Sequence, residues 1–260
     1  MAKVGFAGRR PTSEETMKRQ IEKFMEAFGM LEYPVLFRYT DDLPKGTLLP
    51  REGAWTCLFA LLAKTRAEGI PVALSPSHHG CGGAGYYLGF LDKPREGIEY
   101  FLSCGIPGKM EGERYVKTPE LARARFARMP VRPAAKKYGL FTRADSPHAA
   151  DDPEVVVFFA SPDLLAGLHF LASFDREDDA VTAPFSSGCG AIVSLPLVEG
   201  DLPDPRAVMG LFDPSARPYV ERNLLTFAVP FGLFGRMAGN IPESFLGTKT
   251  WGTIRKRIQG

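Results

Sequence analysis

The sequence HHGCGGAG at residues 78–85 is the stretch around which the rest of the chain is best understood. It places a thiol and two imidazoles beside a backbone that is almost free of side chains. Residues 76–82 (PSHHGCG) follow the pattern P-x-x-x-G-C-G, and residues 184–190 (PFSSGCG) follow it again. We therefore predict that the two segments, which carry Cys81 and Cys189, build one site.

The chain before each motif also has a common order. A predicted strand, helix and strand precede G-C-G once between residues 34 and 82 and once between residues 155 and 190. Repetition of a whole structural unit is better evidence than a short motif alone. We predict pseudo-repeats at about residues 34–90 and 155–195, with coincidence in a glycine-rich chain as the alternative. A proline-rich connection lies near residues 129–137.

Length and composition are typical of a soluble globular protein. The chain has 260 residues, of which 45% are hydrophobic and 24% charged, and we predict a single domain over residues 1–260. The formal net charge of +2 makes a nucleic-acid partner unlikely on electrostatic grounds. The N-terminus lacks the apolar core of a signal peptide, and no apolar run approaches membrane-spanning length. We expect a cytoplasmic protein with no membrane partner, and the sequence does not predict its oligomeric state.

The pattern of elements predicts an α+β fold, with α/β as the alternative, built on a mixed sheet with flanking helices. A capping box at residues 12–15 (TSEE), with Thr12 as the N-cap, precedes an apolar stripe at helical spacing. The stripe consists of Met17, Ile21, Phe24, Met25 and Phe28. Residues 155–160 (VVVFFA) form the most strand-like run in the chain.

The four cysteines support the leading functional hypothesis. In a cytosolic chain of this size, cysteines indicate metal binding, catalysis or burial rather than disulfides. Thiolates select zinc, copper(I) and iron–sulfur clusters, so we predict a metal or iron–sulfur centre that serves redox or one-carbon chemistry. The candidate ligands are Cys57, Cys81, Cys104 and Cys189, with His78 or His79 as a replacement for a thiol. No two cysteines have the C-x-x-C spacing that is usual for such centres. The simpler interpretation of Cys57 is a cysteine buried in a helix. The simpler interpretation of Cys104 is a thiol in a turn, without a function.

Two alternatives remain open. The first is a metal-free protein that binds a small anionic ligand through the backbone N–H groups of Gly80, Gly82, Gly83 and Gly85, which match G-x-G-x-x-G. The spacing disfavours a dinucleotide fold, because five residues separate the predicted strand end at Leu74 from Gly80. The second is a thiol-dependent enzyme in which His78 or His79 activates Cys81. Walker, G-x-S-x-G and H-E-x-x-H signatures are absent from the sequence.

Several short motifs together resemble domain-of-unknown-function family 169, an uncharacterised family of bacteria and archaea. They are Cys57 in a predicted helix that ends at Gly69, and the segments at residues 81–83 (CGG), 88–90 (LGF), 155–158 (VVVF), 187–189 (SGC), 213–217 (DPSAR) and 225–230 (LTFAVP). The resemblance extends from about residue 54 to the end of the chain. It implies a common fold unit and recurrent cysteines, but no mechanism.

The chain departs from the family pattern at one place. Many members carry a further Cys-Gly where this chain has LFD at residues 211–213. A site of four cysteines built on the family pattern is therefore incomplete here, unless Cys104 compensates.

Overall fold

The computed structural model describes residues 13–149 and 152–260, and these form an α+β fold, as predicted. The predicted N-cap, Thr12, lies outside the described residues. The helices are α1 (Ser13–Phe28), α2 (Leu58–Glu68), α3 (Gly82–Tyr87), α4 (Ile98–Phe101), α5 (Pro119–Phe126), α6 (Pro162–Ala172), α7 (Leu195–Gly200), α8 (Phe231–Asn240) and α9 (Lys249–Ile258). The strands are β1 (Val35–Thr40), β2 (Val72–Leu74), β3 (Tyr138–Arg143), β4 (Val155–Ala160), β5 (Val181–Thr182), β6 (Ala207–Gly210) and β7 (Leu225–Pro230).

The strands form one mixed sheet in the order β2-β3-β1-β4-β7-β6-β5. All neighbouring pairs are antiparallel except β5 and β6, which are parallel. At the centre, β1 pairs with β4, so that Val35 lies opposite Val157. Every residue of β4 is buried, because helices or loops cover both faces of the sheet. The uninterrupted apolar sequence of β4 is the consequence of this double burial.

The alternation of side chains along the strands divides the core into two layers. Val35 and Phe37 of β1 face a layer that contains α2, α3 and the chain around Cys189. Leu36 faces the opposite layer, which contains α1, α6, α8 and α9. The apolar stripe predicted for α1 lies in this second layer, where Phe24 and Phe28 are fully buried. Cys81 and Cys189 of the two motifs lie in the first of these layers.

The two predicted repeats differ in how their helices pack. The helix α2 of the first segment covers the first face of the sheet, whereas α6 of the second covers the opposite face. The strands of both segments nevertheless belong to the same sheet. The duplication and the single-domain assignment stay predictions, since neither follows from this arrangement alone. The helix predicted to contain Cys57 and to end at Gly69 begins one residue later, at Leu58, with Cys57 as its N-cap and Gly69 as its C-cap.

A long segment leaves the sheet between α3 and β3. We call residues 90–133, which contain α4 and α5, the insert segment. Its two ends meet where the Ala134 N–H donates to the Gly89 carbonyl at 3.0 Å. A second group of backbone hydrogen bonds ties its interior together, including Glu113 N–H to the Phe101 carbonyl at 2.7 Å. The proline-rich stretch at residues 129–137 leads from this segment back into β3.

Within the part of the chain that the structure describes, no helix has the length and apolar character needed to cross a membrane.

Closure of the insert segment predicts a strong effect of substituting Gly89. Gly89 has φ +69°, and a Cβ there would lie 2.0 Å from the Arg132 carbonyl oxygen. We expect Gly89→Ala to lower the free energy of unfolding by about 3 kcal/mol, since backbone strain and a backbone collision add. Urea unfolding followed by circular dichroism measures this change.

Gly46→Ala is the matched control. Gly46 also has positive φ, at +81°, but a Cβ there would have no neighbour within 4 Å. It should lose only the cost of the backbone conformation, about 1 kcal/mol. Equal losses in the two variants would contradict the close approach at Gly89.

Candidate functional site

A cavity of about 850 Å³ lies between the first face of the core and the insert segment. Five stretches contribute to its lining, within residues 55–59, 81–87, 94–129, 183–189 and 212–216. Most of the side chains in these stretches are apolar or aromatic. The cavity therefore combines the start of α2, both G-C-G segments and the inner surface of the insert segment.

Three of the four cysteines line this cavity. Cys81 and Cys189 of the two motifs are joined by Cys57 at the start of α2. Cys57 and Cys189 are buried, and Cys81 is half-buried. Cys104 lies outside the lining and is exposed, with its S–H directed at the Gly105 carbonyl 3.5 Å away. The structure thus brings together three of the predicted ligands from three separate stretches and leaves the fourth apart.

The glycine before each motif cysteine allows the stretches to meet. Gly80 has φ +72°, and a Cβ there would lie 2.6 Å from the carbonyl oxygen of Thr56, the residue before Cys57. A Cβ on Gly188 would lie 2.4 Å from the Phe59 ring. Both glycines therefore press a cysteine-bearing loop against the first turn of α2. The repeated Gly-Cys order reflects this close approach.

The predicted glycine loop divides into two parts. Gly82 and Gly83 line the cavity. Gly80 and Gly85 instead serve packing, since a Cβ on Gly85 would lie 2.8 Å from Leu91 and 2.9 Å from His79. At the start of α3, the Ala84 N–H donates to Cys81 Sγ at 3.4 Å. The Gly85 N–H, one of those proposed for an anion, donates instead to the Cys81 carbonyl at 3.0 Å.

The two histidines lie beside the cavity rather than in its lining. His79 Nδ1 lies 3.1 Å from the Cys81 carbonyl oxygen, to which it donates. His78 Nδ1 lies 2.9 Å from Ser77 Oγ and 3.3 Å from Ser75 Oγ. Among the described residues, no hydrogen bond joins either imidazole to Cys81 Sγ. The predicted thiol–imidazole pair is thus not joined by a hydrogen bond.

Burial controls the protonation of two of the thiols. It raises the pKa of Cys189 well above the ordinary value, and the neighbouring Cys81 and Cys57 add to this shift. Burial also raises the pKa of Cys57, more than the backbone N–H groups of Phe59 and Ala60 lower it. Both groups are therefore neutral thiols at pH 7.

Asp213 is a site residue that the sequence reasoning did not assign. It lines the cavity, where Oδ1 accepts from the Gly188 N–H at 2.9 Å and Oδ2 accepts from the Ser215 hydroxyl at 3.3 Å. Burial outweighs these hydrogen bonds and raises the pKa of Asp213 to about 6. A carboxyl group with such a pKa can gain or lose a proton near neutral pH.

Two tyrosines with raised pKa values, Tyr87 and Tyr115, also line the cavity. Burial, followed by the nearby Tyr86 and Cys189, raises the pKa of Tyr87. Burial and the hydrogen bond to Glu113 raise the pKa of Tyr115 to about 12. Both phenols therefore keep their protons at neutral pH. Tyr115 donates its proton to Glu113 Oε2 at 2.8 Å, so Tyr87 is the phenol of the two that can donate to a ligand.

Comparison with known proteins adds a family but no activity. Residues 23–240 match the model of domain-of-unknown-function family 169, described as an uncharacterised ArCR family. The chain belongs to this family. The match confirms the resemblance found in the sequence and begins before residue 54, where that resemblance began. No curated protein and no solved structure matches the chain.

Asp213 is the last residue of the stretch 211–213, where the resemblance led us to expect a departure from the family pattern. Residues 211–213 carry no cysteine, and the carboxylate of Asp213 faces the cavity that the three thiols line. That expectation concerned a missing cysteine and did not point to the carboxylate. Asp213 begins the segment 213–217 (DPSAR) that carries part of the resemblance, but its position in the cavity is what identifies it as a site residue.

The side chains that line the cavity have the chemistry of metal ligands, but their positions do not form a metal site. Three thiols and a carboxylate have the chemistry of zinc, copper(I) or iron ligands. Yet in residues 13–149 and 152–260, no group of three His, Cys, Asp or Glu side chains is arranged to hold a metal ion. The side chains as they stand do not fit a metal centre.

The raised pKa of Asp213 predicts a pH-dependent effect of removing its charge. The folded-state pKa of about 6 lies above the ordinary value of 3.8. Asp213 therefore contributes stability at low pH that is lost as pH rises through about 6. We expect Asp213→Asn to be more stable than wild type at about pH 8, because wild type then carries a buried charge that the variant lacks. At about pH 5 Asp213 is mostly protonated, so the difference in stability should be smaller.

Urea midpoints of both proteins at the two pH values measure this difference. Asparagine can still accept from the Gly188 N–H, so the comparison isolates the charge. Two results would contradict the raised pKa of Asp213. One is a variant that is less stable than wild type at about pH 8, and the other is a difference in stability between the two proteins that does not change with pH.

Proposed function

We propose that this protein binds a small, largely apolar organic molecule in the cavity and brings it against the thiols of Cys57, Cys81 and Cys189. The cavity itself is the observation that carries this proposal. Its volume of about 850 Å³ lies within the range of about 300–1,000 Å³ that is usual for ligand pockets. An apolar cavity with a few polar groups is the common form of a small-molecule site.

The insert segment supplies much of the apolar surface. Phe101 and Leu102 come from the end of α4, and Phe126 and Met129 from the end of α5. The Phe126 ring lies 6.0 Å from the Tyr86 ring across the cavity wall. Aromatic and thioether groups accommodate planar or flexible apolar ligands through dispersion contacts.

The mouth of the cavity is also lined by aromatic side chains. Trp55 is 68% exposed, and Phe185 and Phe212 are each 50% exposed, although all three line the cavity. Exposed aromatic side chains around one opening indicate a place where an apolar molecule enters. The polar groups are few, and Asp213 is the acidic one.

A substitution that fills the cavity tests this proposal. Gly83 lines the cavity, and a Cβ there would meet only Cys81 Sγ, at 3.8 Å. We expect Gly83→Leu to weaken binding of N-phenyl-1-naphthylamine, a neutral apolar fluorophore, by about tenfold or more, a loss of about 1.4 kcal/mol. Fluorescence titration measures the affinity. Stability should not fall, because leucine is favoured over glycine in a helix by about 1 kcal/mol.

Gly232→Leu is the matched control, because Gly232 lies in α8 and a Cβ there has no neighbour within 4 Å. It should bind the fluorophore as wild type does. Equal binding by Gly83→Leu and wild type would overturn the proposal.

A thiolate-bound metal or iron–sulfur centre is the second candidate function. The approach of three cysteines from distant stretches to one cavity favours it. Such a centre requires the three thiol side chains to move closer together than they lie here. It also requires the raised pKa values of Cys57 and Cys189 to be overcome by binding of the ion.

Metal and acid-labile sulfide analysis of protein purified without oxygen tests this candidate. If it holds, wild type and Cys104→Ser contain the same amount of metal, because Cys104 lies outside the cavity lining. Cys81→Ser and Cys189→Ser lose it. Folded wild-type protein that contains no metal would rule the candidate out.

A further inference from the structure

Two arginines at the cavity mouth each lie beside one of the G-C-G segments. Arg95 lines the cavity next to the Cys81 segment, where a Cβ on Gly82 would lie 3.5 Å from its Cβ. Arg125 of α5 lies beside the other segment, with its guanidinium carbon 4.0 Å from the centroid of the Phe185 ring. Both side chains are exposed at the mouth.

The charges of these arginines are not neutralised by the protein. Within the described ranges, neither Arg95 nor Arg125 forms an ion pair, whereas Arg123 of the same helix pairs with Glu99 and Glu120. Stacking on Phe185 holds Arg125 in place without neutralising it. Two positive charges therefore face a largely apolar cavity.

The acid in the lining, Asp213, forms no ion pair with either arginine in the part of the chain that the structure describes. Both oxygens of Asp213 already accept hydrogen bonds, from Gly188 and Ser215. The arginines are consequently left to recognise a group that comes from outside the chain.

Arginine is suited to one class of such groups. Its planar guanidinium presents several N–H donors in a fixed geometry that matches the oxygens of carboxylate, sulfonate and phosphate. At the edge of an apolar cavity, which excludes part of the water, this attraction exceeds that of a pair in open solvent.

We propose that the ligand is an amphipathic organic anion, with its apolar body in the cavity and its anionic group held at the mouth by Arg95 and Arg125. This inference rests on the proposed binding function and specifies its ligand class. Because Cys57 and Cys189 are buried and the arginines exposed, the apolar end of the ligand points to the thiols. The anionic end remains in contact with solvent.

A pair of matched fluorophores tests this ligand class. 8-Anilinonaphthalene-1-sulfonate has the ring frame of N-phenyl-1-naphthylamine with an added sulfonate. We expect wild type to bind the sulfonate about tenfold more tightly than the neutral compound, as charge-assisted hydrogen bonds provide. Raising NaCl from about 50 mM to about 500 mM should weaken binding of the sulfonate and leave the neutral compound unaffected.

The double variant Arg95→Gln/Arg125→Gln should lose this preference, while its affinity for the neutral compound changes by less than about twofold. Arg128→Gln/Arg222→Gln is the control, because it removes the same charge from two exposed arginines outside the lining. It should bind both fluorophores as wild type does. Dodecanoate or dodecyl phosphate should displace the sulfonate, and comparison of the two distinguishes a carboxylate from a phosphate ligand.

The outcomes separate the two proposals. If neither fluorophore binds at a saturable site, the binding function itself is wrong. If the neutral compound binds but the sulfonate binds no better, the ligand class is wrong and the cavity still binds a ligand. The same conclusion follows if the double variant keeps the preference or if dodecanol displaces the sulfonate as well as dodecanoate does.

Discussion

The close contact between Gly80 and the Thr56 carbonyl is the constraint on which the site depends. With 2.6 Å between a hypothetical Cβ and that oxygen, only glycine lets the two backbones touch. This contact places the stretch before Cys81 directly against the stretch before Cys57. Gly188 makes the corresponding approach to the Phe59 ring, so the third cysteine reaches the same end of α2. The cavity lies where these three stretches and the insert segment meet.

Local sequence patterns predicted the elements whose structure depends on near neighbours. The apolar stripe of α1 and the apolar run of β4 are buried as their spacing indicated. The common P-x-x-x-G-C-G pattern of the loops carrying Cys81 and Cys189 pointed to a shared site, and both cysteines line one cavity. In each case the residue types themselves, apolar side chains at regular spacing or glycine beside cysteine, indicate how the segment packs.

The rest of the site depends on contacts between distant residues, which one sequence does not reveal. Asp213 is an acid in a proline-containing loop, and only the fold places it beside Gly188. Cys104 precedes a glycine as Cys81 and Cys189 do, but for a different reason. A Cβ on Gly105 would lie 2.4 Å from the Met110 carbonyl, so this glycine permits a local turn. Cys104 is preceded by Ser103 rather than glycine, so it lacks the close approach that brings Cys81 and Cys189 to α2.

The stem of the insert segment has a consequence for the cavity. Since Gly89 and Ala134 hold the two ends together, the chain between them can change in length while the sheet keeps its register. A doubling of loop length costs only about 0.6 kcal/mol of closure entropy. A change in this segment would therefore alter the wall and the volume of the cavity while the order and register of the strands stay the same.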